Sequence, residues 1–143
     1  MNKELIVEKS VKVSAPVQKV WEALTNPEMV KQYLFGTQLV TDWQVGNDIV
    51  FQGSYEGKEY LDKGKIVQFE PEKLLQYTYL SSFSGLEDKE ENYSLVTYEV
   101  SGEDGDITLK VSQKRFANEQ AREHSESGWD MVLNGIKKLV ESE

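Results

Sequence analysis

Apolar and polar residues alternate weakly over residues 4–13, where Leu5, Val7, Val11 and Val13 stand against Glu4, Glu8 and Lys12. A period of two predicts a first strand with one wet face. The period then changes. Val17, Val20, Trp21 and Leu24 fall at i, i+3, i+4 and i+7, the spacing of a short amphipathic helix. Ser14 followed by Pro16 supplies a start signal: a side-chain oxygen able to cap, and a proline tolerated in the first turn. Asn26-Pro27 repeats that signal at once, and Met29, Val30 and Tyr33 predict a second short helix ending by Gly36.

From 37 to 115 the pattern returns to a period of two. Ile49, Phe51, Gly53 and Tyr55 alternate with Val50, Gln52 and Ser54. Ile66, Val67 and Phe69 continue the run. Leu75, Tyr77 and Tyr79 form one face of a further strand, Val96, Tyr98 and Val100 of the next, and Ile107, Leu109 and Val111 of the last. Glu56-Gly57-Lys58, Glu70-Pro71-Glu72-Lys73 and Gly102 to Asp106 read as the turns between them. Successive hairpins predict an antiparallel sheet, and the alternation predicts that one of its faces is covered.

Residues 118–141 supply the cover. Ala121, Ser125, Gly128, Val132, Ile136 and Leu139 recur at helical spacing, small or polar at the start and aliphatic at the end. A helix of 24 residues spans about 36 Å, long enough to cross a sheet. Gly128 stands in the middle of the stripe, where glycine costs about 1 kcal/mol against alanine. Such a cost is expected where the space of a side chain is needed. The helix therefore reads as a lid over a surface with room beneath it. The order of elements is strand, two helices, about six strands and a long helix, an α+β architecture in one domain over 1–143.

Composition changes this picture little. A chain of 143 residues buries enough surface to fold without metal or disulfide, and it contains no cysteine. The expected compartment is a reducing cytoplasm, and no apolar run approaches the ~20 residues needed to span a membrane. A net charge of −9, from 16 basic and 25 acidic residues, argues against a nucleic-acid partner. Lys114-Arg115 and Lys137-Lys138 are only pairs, read as strand-end and helix-end charges.

Chemistry-bearing residues are sparse. The aromatics Trp21, Tyr33, Phe51, Tyr55, Tyr77, Tyr79, Tyr98 and Trp129 all lie on apolar stripes. Each alone reads as ordinary core. As a set, with Ser125, Gly128 and Val132, they read as the wall of a ligand cavity, because tyrosine hydroxyls buried dry would need partners. His124 is the single histidine and lies beside the helix stripe without clustered metal-ligating partners. Glu87, Asp88, Glu90 and Glu91 lack the ligand spacing of a calcium loop and read as a solvated connection. No metal, cofactor or catalytic motif is expected; Glu22, Glu59 and Asp130 are acids on neighbouring elements, and nothing in the sequence directs any of them inward.

The chain resembles the helix-grip fold of the START-like superfamily (SRPBCC), and within it the family of the activator of the ninety-kilodalton heat-shock-protein ATPase in its small bacterial form. The resemblance rests on Ser14-Ala15-Pro16, on Val20 to Glu28, on Gly64 to Val67 with Glu70 to Leu74, and on Gly128 to Leu133. It implies a curved antiparallel sheet of six to seven strands whose concave face is covered by the C-terminal helix. It also implies a hydrophobic cavity between sheet and helix. The partners so implied are a small hydrophobic or aromatic ligand, with a chaperone protein in stress response as the alternative and cyclase or aromatase chemistry as a further one. A monomer is expected. The eukaryotic activator has a further N-terminal domain, for which the position of residue 1 before the first strand is expected to leave no room.

Overall fold

In the computed structural model, which describes residues 2–34, 36–82 and 85–141, seven strands pair in one antiparallel sheet. Of residues 2–4 and Tyr55 only the backbone is described. The chain runs β1 (Asn2–Val13), α1 (Val17–Thr25), α2 (Pro27–Tyr33), β2 (Gln38–Thr41), β3 (Asp48–Tyr55), β4 (Lys58–Glu70), β5 (Leu74–Tyr79), β6 (Ser94–Glu103), β7 (Asp106–Phe116) and α3 (Glu119–Glu141). The sheet order is β1-β7-β6-β5-β4-β3-β2, so five consecutive connections join neighbours and β1 returns beside β7. This is the expected α+β helix-grip arrangement.

The period-two alternation holds on β6 and β7. Ile107, Leu109 and Val111 on β7 are fully buried, as is Val96 on β6 beside Tyr98 and Val100. Glu56 and Gly57 form the β3–β4 hairpin with both φ angles positive, 49° and 81°, the twist that a two-residue connection requires. In β4 the parity breaks. The register with β5 shifts between Ile66 and Gln68, so Ile66 is buried while Val67 and Gln68 both face out, and Phe69 turns back in.

The helix starts follow the sequence in one case and depart from it in the other. Asn26 caps α2 by accepting the Glu28 N–H at 2.9 Å. At α1 the N-cap position belongs to Pro16, and Ser14, two residues ahead of it, makes no cap. The Val17 N–H donates instead to Asp104 Oδ1 at 2.9 Å, and Gly105 N–H donates to the Ala15 carbonyl at 3.0 Å. The cap is thus delivered by the β6–β7 turn.

In α3 the line of buried residues is Leu133, Ile136 and Val140. This lies one position round from the expected Val132 and Leu139, which are half-buried. The helix packs on β1, α1, β7 and α2, and Lys137 fastens its C-terminal half by donating to the Lys12 carbonyl at 2.6 Å. The N-terminal half, from Glu119 to Met131, has no fully buried residue. The difference in packing between the two halves is the reason for the offset: only the second half lies on closed core.

Candidate functional site

Beneath the N-terminal half of α3 lies a cavity of about 460 Å³. Ligand sites for small molecules usually fall between ~300 and ~1,000 Å³. Leu39 of β2, Phe51 of β3, Asp62 of β4, Tyr77 of β5, Tyr98 of β6 and Gln113 of β7 all line it. Six strands that share one interior space must bend round it. The open side is closed by Leu24, Val30 and Tyr33 from the short helices and by Ser125, Gly128, Trp129 and Val132 from α3.

The wall is mostly apolar, with aromatic rings grouped in it. The Phe51 ring centre lies 5.6 Å from that of Tyr77 and 5.8 Å from that of Tyr79. Tyr98 meets Trp129 edge to face at 5.7 Å. Burial pushes the Tyr33, Tyr77, Tyr79 and Tyr98 hydroxyls well above the ordinary tyrosine range. Their partners are protein groups: Tyr33 donates to the Ala23 carbonyl at 2.7 Å, and Tyr79 donates to Asp62 Oδ2 at 2.6 Å.

Two polar arrangements interrupt this wall. In the first, Asp62 is buried to 8% exposure and also accepts the Ser82 N–H at 2.8 Å and its hydroxyl at 3.1 Å. Nearby in sequence, the Tyr60 and Thr37 hydroxyls bond to each other. Tyr60 lies over Gly53, its cross-strand partner, where a β-carbon would stand 2.7 Å from the tyrosine oxygen. In the second, the Trp129 indole N–H donates to Gln113 Oε1 at 2.8 Å. Gln113 Nε2 donates to Ser94 Oγ at 2.8 Å, and Ser94 donates to the Tyr79 carbonyl at 3.2 Å. This chain ties the lid helix through β7 and β6 to β5.

Nine of the eleven residues expected at a cavity converge on this space: Tyr33, Phe51, Tyr77, Tyr79 and Tyr98, with Ser125, Gly128, Trp129 and Val132. Trp21 does not line it. Its ring packs on Phe69 at 5.6 Å, and Trp43 stacks on Phe69 at 5.5 Å. The bulge that turns Phe69 inward gives Trp21 an apolar partner outside the cavity. The Tyr55 side chain lies outside the described residues.

Gly128 lines the cavity, and a β-carbon there would meet nothing within 4 Å, so the helix has open space at this position, as its place in the stripe leads one to expect. The helix glycine at a tight approach is Gly135. His124 is exposed at the cavity rim. Glu22, Glu59 and Asp130 all point to solvent, and Asp130 pairs with Lys9 at 3.4 Å. The carboxylate inside is Asp62, which sequence reasoning passed over together with Thr37, Trp43, Tyr60 and Gln113. The spacing of Tyr60, Asp62, Gly64 and Ile66 at a period of two was the signal for the first pair on β4. Among the described residues no cluster of acids and histidine is suited to hold a metal ion.

A sheet bent round an apolar cavity and closed by the terminal helix defines the helix-grip, START-like class of domain. Within it, the chain belongs to the family of Activator of Hsp90 ATPase homolog 1-like proteins, whose pattern matches residues 14–141. The solution structure of ChR145 from Cytophaga hutchinsonii is 40% identical, with 99% of this chain and 97% of that chain covered and a TM-score of 0.83. DynU16, a protein of the dynemicin biosynthetic locus, is 21% identical over 96% of this chain and 48% of its own, with a TM-score of 0.79. The Aha1 dimer from Colwellia psychrerythraea is 13% identical over 95% of this chain and 96% of that one, with a TM-score of 0.74. The last two likenesses are of fold alone. No curated protein sequence matches, and no described helix is long and apolar enough to cross a membrane.

Proposed function

We propose that residues 1–143 form one START-like domain that binds a small hydrophobic or aromatic molecule in the cavity under α3. The observation that carries this reading is the space itself, about 460 Å³ walled by apolar and aromatic side chains and closed by the loosely packed half of a helix. Apolar walls with a few placed polar groups favour a ligand that buries most of its surface. Titration with flavonoids, aromatic polyketides and fatty acids, followed by Trp129 fluorescence and amide shifts, tests it. Shifts confined to cavity residues support the reading; no shift with any of them removes it.

Gly128→Leu is the matching variant. Its side chain enters open space, so stability changes by less than about 1 kcal/mol while affinity falls at least about tenfold. Binding unaffected by this change counts against the site.

Family membership supports a second reading, a chaperone-modulating domain in stress response. ATPase measurements on a bacterial chaperone of the ninety-kilodalton class, with and without this protein, decide it. In both readings the protein acts as a cytoplasmic monomer, in keeping with the self-repulsion of a −9 charge, and sedimentation measures the oligomeric state.

A further inference from the structure

The cavity has an electrostatic asymmetry that its apolar character hides. Among the described lining residues there is no lysine and no arginine. The acidic one is Asp62, and no described ion pair involves it. Among the described residues its three hydrogen bonds come from neutral donors: the Tyr79 hydroxyl and the amide and hydroxyl of Ser82. A carboxylate has about four acceptor sites, so these donors leave room for one more. A buried carboxylate without a cation is costly, and a donor arriving with the ligand lowers that cost.

We propose that Asp62 sets the charge of the ligand: the cavity takes neutral or cationic aromatic molecules with a hydroxyl or amine end, and rejects carboxylates. This rests on the ligand-binding reading above and narrows it. The donor end seats against Asp62, and the body lies along Phe51, Tyr77 and Trp129. An anionic head would meet a like charge in a site screened from water, with no lysine or arginine among the described residues that line it.

Three probes with one naphthyl body test the idea: naphthylethylamine, naphthylethanol and naphthylacetate. Calorimetric titration of the full chain is expected to show binding of the amine and the alcohol, with the acetate weaker than the amine by at least about tenfold. In Asp62→Asn, which keeps the side-chain shape, that gap is expected to close to within about threefold. Asp62→Ser removes the charge as well and is expected to close the gap in the same way; it serves if the asparagine variant does not fold. An acetate that binds as well as the amine to the native chain overturns the proposal while leaving a binding cavity in place. A gap that survives Asp62→Asn also overturns it. Failure of all three probes and of the wider ligand panel removes the cavity reading itself, and this inference with it.

Discussion

Gly135 of α3 lies against Tyr33 of α2: a β-carbon on the glycine would stand 3.1 Å from the tyrosine β-carbon. Tyr33 is buried and anchored through its hydroxyl to the Ala23 carbonyl, so it has little freedom to withdraw. The two glycines of the lid helix therefore carry opposite predictions. Gly128→Ala adds helix propensity at an open position and is expected to raise stability by up to about 1 kcal/mol. Gly135→Ala gains the same propensity but crowds Tyr33, and a net loss of about 1 kcal/mol is expected. Denaturant midpoints measure both.

Asp104→Ala is expected to cost about 1 kcal/mol, because it removes the oxygen that caps α1 across the fold. Ser14→Ala is expected to change stability by less than about 0.5 kcal/mol, since its hydroxyl makes no cap and the Ser14 N–H, which donates to Glu141 at 2.7 Å, is kept. Equal losses from the two variants would contradict the assignment of the cap.

Trp129→Phe keeps an aromatic ring over Tyr98 but takes the indole donor from buried Gln113. A loss of about 1 kcal/mol is expected. Amide exchange should quicken over residues 119–131 and stay unchanged over 133–140, where Leu133, Ile136 and Val140 hold the helix on closed core. Uniform quickening along α3 would show that the helix opens as one unit.

Alkaline stability follows from the cavity tyrosines. Desolvation raises the hydroxyls of Tyr33, Tyr77, Tyr79 and Tyr98 in the folded chain, whereas the unfolded chain titrates near 10. Above that value the unfolded state has lost protons the folded state still holds, so stability falls as pH rises. Each such tyrosine contributes up to about 1.4 kcal/mol per pH unit, enough together for cooperative unfolding near pH ~11. Phenolate absorbance should show these four ionising only with unfolding. Their gradual titration in a chain that stays folded would refute this.

Short-range pattern alone determined the order of elements and most of the cavity wall. Burial of one face imposes a period of two on β5, β6 and β7, so Tyr77, Tyr98, Val96 and Val111 could be placed inside before any pairing was known. The corner at Asn26-Pro27 was legible for the same kind of reason, because capping and proline chemistry act within a few residues. Contacts between distant segments decided the rest. In β4, Leu61 is 48% exposed and Asp62 8%, against what their polarity suggests. Alternation defines two faces but does not say which is inside when both carry polar residues, and here pairing with β3 and the kink after Ile66 settle it. Gly128 and Gly135 look alike in a helical stripe; only the seating of α3 against Tyr33 tells the tight approach from the open one. The cap on Val17 comes from Asp104, 87 residues along the chain, where no local rule reaches.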